Sequence, residues 1–132
     1  MILINKASSN TVVLTLTEKV TLSAPYYFLF SFVSQTTGAT VNFIAADSSL
    51  YTDRYNEFTI VETTSPDLTD SECELNPKGF WNYKIYAQSS SSNLVVANAD
   101  ELVEEGIVKV NWSAPSVTTY NTAPDTNTVY NP

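Results

Sequence analysis

Carboxylates and one thiol are the side chains with chemical potential in this sequence, and the carboxylates fall in two clusters. Asp67, Asp70, Glu72 and Glu74 lie within TTSPDLTDSECELNP; Asp100, Glu101, Glu104 and Glu105 end in EEG. Paired carboxylates serve glycosidases, and clustered oxygens serve calcium. A calcium loop needs a glycine at its sharp turn and regular ligand spacing, and the first cluster has neither. It reads as a solvated acidic loop. The second precedes Gly106 and a strand-like run, which suits a turn or a bulge that needs glycine. Cys73 has no histidine to activate it, because the chain contains none. The commonest general base and the commonest metal ligand are therefore missing. Cys73 is expected to be a small semi-buried side chain rather than a nucleophile. No catalytic residue, cofactor or metal site is assigned, and the expectation is a protein that is not an enzyme.

Binding chemistry is narrowed by charge. The net charge is −8, and five lysines and one arginine are scattered without a basic patch. Phosphate contacts need clustered Lys and Arg, so nucleic acid is not an expected partner. The acidity reads as solubility. No stretch reaches the length of a membrane span, and MILINKASSN does not resemble a signal peptide. The expectation is synthesis in a cytosol, with cell lysis as a route out. Asn111-Trp112-Ser113 fits a glycosylation sequon and is read as accidental.

The elements that must position these residues are strands. TVVLTLTEK sets Val12, Leu14 and Leu16 on one face and threonines on the other. YYFLFSFV sets Phe28, Phe30 and Phe32 on one face and Tyr27, Leu29 and Val33 on the other, so both sides need cover from a second sheet or a partner chain. Residues 35–39 form a turn, and TVNFIA completes a hairpin. Residues 57–62 make a strand with Phe58 and Ile60 inward, and SECEL a short edge strand. LVV is expected as a further short strand, and ADELVEE as one helical turn at most. GIVKVNW closes the set, with Val108, Val110 and Trp112 alternating. One domain over residues 1–112 is expected, all-β, a single antiparallel β-sandwich of immunoglobulin-like or jelly-roll-like kind.

Two features point to partners. In GFWNYKIYAQ, Trp81, Tyr83, Ile85 and Ala87 form the inward set, which leaves Phe80 and Tyr86 on the polar face. Aromatics there suit a surface that a neighbouring subunit covers, or they pack on the stem of Lys84. Residues 113–132 (SAPSVTTYNTAPDTNTVYNP) lack a core pattern and are read as an extended arm that docks on a neighbour through Val117, Tyr120, Val129 and Tyr130. The tryptophans and eight tyrosines also permit a sugar-stacking platform, the basis for an alternative reading as a carbohydrate-binding or adhesin-type module.

The blocks INKASSNTVVLTLTEKVTLSAPYYFLFSF, TVNFIAADSSLYTDRYNEFTIVE, GFWNYKIYAQ and LVEEGIVKV together resemble the small β-sandwich virion proteins of tailed bacteriophages of Bacteroidota, including crAss-like phages. Trp81 to Tyr86 match that group's aromatic-x-Tyr-x-(Val/Ile)-Tyr strand, and Leu102 to Val110 its Leu-Val-Glu-x-Gly-x-Val-x-Val hairpin. The resemblance spans most of residues 2–112 and carries no catalytic residue. It implies a bacteriophage virion structural protein, made in the host cytoplasm: a capsid auxiliary, decoration or head-fibre-attachment protein. Such a protein would bind capsid or other virion proteins, or its own copies, as an oligomer or multicopy assembly.

Overall fold

The computed structural model describes residues 1–111, and these form eight strands. They are β1 (Ile2–Asn5), β2 (Ser9–Leu14), β3 (Tyr27–Ser34), β4 (Thr40–Ala45), β5 (Asn56–Glu62), β6 (Glu72–Cys73), β7 (Gly79–Gln88) and β8 (Glu101–Asn111). A curled five-stranded sheet, ordered β1-β8-β7-β3-β4, faces a three-stranded sheet ordered β2-β5-β6. The expected all-β sandwich is what the chain forms. Its pairings are antiparallel except β1 with β8 and β5 with β6, which are parallel.

Alternation in sequence becomes a packed interior because every strand turns one face toward the other sheet. Phe28, Phe30 and Phe32 of β3 meet Phe43 of β4 and Phe58 of β5. Phe30 stacks on Phe43 at 5.2 Å and meets Phe58 edge-on at 5.0 Å, and Phe32 meets Phe43 edge-on at 5.1 Å. Each such pair adds about 1 kcal/mol beyond area burial. Trp81 is fully buried beside them, its indole N–H donating to the Pro77 carbonyl at 2.9 Å.

The opposite face of β3 is covered too, by the chain itself. Leu29 and Ile44 sit opposite each other on the outer face and are buried. Segment 89–100 folds back over this region: Asn42 Nδ2 donates to the Leu94 carbonyl, and the buried Gln88 amide donates to the carbonyls of Ser90 and Asn93. A segment with four consecutive serines thus acts as a lid over apolar floor.

Two local expectations are corrected in this region. The run LVV holds no strand; Val96–Asn98 is a 3-10 turn within the lid. The run ADELVEE makes no helical turn, since β8 begins at Glu101 and pairs with β7. Gly106 is needed for a different reason from the one expected. The register shift between β7 and β8 falls at Ile85/Tyr86, opposite Glu104 and Leu102, so Val103 is the extra residue. At Gly106 the Tyr83 ring lies on the backbone, and a Cβ would sit 2.7 Å from its Cε1 and 2.8 Å from its hydroxyl oxygen.

Candidate partner-binding face

Strand register decides which residues share the outer face of the large sheet. Leu3 of β1, Lys109 of β8 and Phe80 of β7 line up in one row. Ile107 and Asn82 make the next row, and Met1 lies just before the paired part of β1. Phe80 is 48% exposed, Leu3 54% and Ile107 43%. The Lys109 ammonium stands 5.8 Å from the Phe80 ring centroid, so the cation that accompanies this aromatic is Lys109, one strand over. A cation over a phenyl face at a surface site contributes roughly 0.5–1 kcal/mol. Gln35 fixes the flank by donating from its backbone N–H to the Phe80 carbonyl and from Nε2 to Asn82 Oδ1.

Tyr86 occupies different surroundings. It sits opposite Leu29 and Leu102 and is half-buried. It lies six positions along the strand from Phe80, about 20 Å away. The two aromatics share a face but not a patch. Met1, Leu3 and Ile107 complete the patch around Phe80. Sequence reading missed them because only the parallel pairing of β1 with β8 brings Leu3 beside Lys109. Val117, Tyr120, Val129 and Tyr130, with Trp112 and the whole arm 113–132, lie outside the described residues.

Several of the polar side chains are occupied in holding the fold. Glu62 is buried and accepts from the Ala7 N–H at 2.7 Å, the Leu75 N–H at 2.9 Å and the Lys6 ammonium at 3.1 Å. Burial pushes its carboxyl pKa up, but these three donors outweigh burial and hold it below the ordinary carboxylate value. Lys6 also donates to the Leu75 carbonyl and to Asn76 Oδ1, which uses all three ammonium protons. Lys6 and Glu62 stand in the wall of a hollow of about 450 Å³ and are already engaged there.

Tyr83 donates to Glu104, which also pairs with Lys19 at 2.8 Å. Burial and then that bond raise the phenol's pKa. In the acidic loop, Asp67 accepts from the backbone and hydroxyl of Thr69, and Glu72 accepts from the Asp67 N–H. Among the described residues no group of three or more Asp, Glu, Cys or His is placed to hold a metal ion. No helix among them is long and apolar enough to cross a membrane. Cys73 is fully buried, and its thiol is pushed up to about 12 by burial and then by the Glu62 charge. No protein-family model, curated protein or solved structure matches this chain.

Proposed function

We propose that the protein is a structural component of a tailed-phage virion, a capsid auxiliary, decoration or head-fibre-attachment protein that acts by binding and not by catalysis. The observation that carries the reading is the exposed patch of Leu3, Phe80 and Ile107 around Lys109, on the sheet face that the lid leaves uncovered among the described residues. Aromatic and aliphatic anchors at the centre of a patch, with polar groups at the rim, are how protein interfaces gain affinity. The resemblance of the four sequence blocks to Bacteroidota phage virion proteins supports the same assignment. A shell repeats such a contact many times, so weak individual contacts suffice through avidity. The arm, residues 113–132, is a second proposed contact with capsid proteins or with other copies.

The test is immunogold labelling of purified particles, with mass spectrometry of the same preparation. Gold at a fixed place on the particle is expected. Particles that lack the protein would refute the assignment.

One observation favours the carbohydrate-binding alternative. The β2–β3 and β4–β5 loops meet at one end of the sandwich, around a hollow of about 380 Å³ whose lining includes Tyr26, Tyr27, Asp47 and Thr52. Trp81 is buried and unavailable as a platform, so the exposed Tyr27 would have to stack on the sugar. Glycan-array binding by the soluble protein, lost in Tyr27→Ala, is what that reading predicts.

A further inference from the structure

The two sheets meet along two seams, and among the described residues only one is closed along its length. On the β4/β6 side, Ile44 donates to the Leu68 carbonyl, Ser71 donates to the Ile44 carbonyl and Val61 donates to the Ser71 carbonyl. Segment 68–71 thus stitches one sheet to the other. On the β1/β2 side the sheets are pinned beside the turn at residues 6–8. There the Asn10 side chain stands in for a strand, accepting from the Asn5 N–H at 2.9 Å and donating to its carbonyl at 3.1 Å. Past the pin the seam opens into a hollow of about 240 Å³ between Leu3 on one edge and Thr11 and Val13 on the other.

Among the described residues, the open edge presents unpaired backbone. The Glu62 N–H donates to the Ser8 carbonyl, so the ladder to β5 runs through Ser8, Asn10, Val12 and Leu14. Alternation then turns the N–H and C=O groups of Ser9, Thr11 and Val13 away from β5. Proteins normally blunt such an edge by shortness, charge, proline or cover. β6 is two residues long and carries Glu72, and β4 has segment 68–71 bonded along it. Among the described residues β2 has none of these devices. Its six residues, SNTVVL, hold no charge, proline or glycine, and Val13 is 59% exposed.

We propose that β2 is a self-association edge, on which a second copy of this chain adds its own β2 antiparallel about a two-fold axis at Thr11. Thr11 then pairs with Thr11 of the second copy, and Ser9 with Val13 of the second copy. Roughly six ladder hydrogen bonds form, and two three-stranded sheets become one. Charge favours this edge over the rest of the surface for contact between two copies. Each copy carries −8, yet residues 1–17 contain a single charged side chain, Lys6, so copies repel over most of their surface and can approach at this edge. The inference needs the fold alone. It holds or fails whether or not the protein is found in virions.

Sedimentation equilibrium of the full chain, from micromolar to near-millimolar concentration, is the test. A monomer–dimer equilibrium that tightens as salt screens the net charge is expected. Thr11→Pro removes the central donor and Val13→Lys charges the edge, and each should weaken the dimer roughly tenfold or more. Both residues face away from β5, so the far-UV circular dichroism spectrum should be kept. If Thr11→Pro fails to fold, Val13→Lys still decides. A chain that stays monomeric throughout, or a dimer unaffected by Val13→Lys, overturns the proposal. So does association that survives Val13→Lys but is lost when residues 113–132 are deleted, which would assign self-association to the arm.

Discussion

Replacing Glu62 by glutamine should expose how much of the fold hangs on one buried carboxylate. Glu62 receives three donors and offers none, and its side chain is 4% exposed. A glutamine of the same shape must turn its NH₂ toward the Ala7 N–H, or toward the Leu75 N–H and the Lys6 ammonium. Either way a donor faces a donor. One hydrogen bond to a charged group contributes about 1.5–3 kcal/mol, and leaving a buried donor unpaired costs about 1–3 kcal/mol. Lys6 keeps Leu75 and Asn76 as partners and is 17% exposed, so its charge is not stranded. The expected loss is about 3 kcal/mol, a Tm decrease of roughly 10–15 °C for a domain of this size. Urea unfolding at pH 7 measures it, and a cycle with Lys6→Met isolates the ion-pair contribution. The pH dependence has a fixed sign. Glu62 is held below its ordinary pKa in the folded state, so its stabilisation is complete above the unfolded value of 4.5 and is lost as pH falls through the folded one. The gap between wild type and Glu62→Gln should therefore narrow below about pH 4.5. A loss under about 0.5 kcal/mol at pH 7, or a gap that widens in acid, would refute this account of the network.

Three further outcomes are expected. Gly106→Ala should cost about 1–3 kcal/mol in a thermal or urea melt, because the new Cβ meets the buried Tyr83 ring; unchanged stability would show that the ring moves freely. Cys73 should resist iodoacetamide at pH 8 in the native protein and react once unfolded, since both burial and its raised pKa suppress the thiolate; rapid native labelling would contradict the packing of β6. Phe80→Glu and deletion of residues 113–132 should each shift the monomer's stability by less than about 1 kcal/mol while weakening incorporation into particles, and normal incorporation of both would remove the patch and the arm as anchors.

Sequence alone determined the material of the fold. Period-2 alternation in residues 27–34, 56–62 and 79–88 set Phe28, Phe30, Phe32, Phe58, Ile60, Trp81 and Ile85 inside, because a strand's faces are fixed by backbone geometry before any partner is chosen. Turn chemistry at residues 35–39 and the short edge strand at Glu72–Cys73 were legible for the same local reason. Tertiary structure decided everything that depends on which strands become neighbours. Pairing of β1 with β8 runs across more than a hundred residues, and local pattern holds no record of it, yet it builds the patch around Phe80. The Lys6–Glu62 network and the cover over Leu29 are equally non-local. Gly106 makes the division plain. Its place before a strand suggested a turn, but its need comes from Tyr83, a residue on the adjacent strand whose ring claims the space where a side chain would begin. Local preference fixes how each segment is shaped; only close packing among distant segments fixes what each side chain touches.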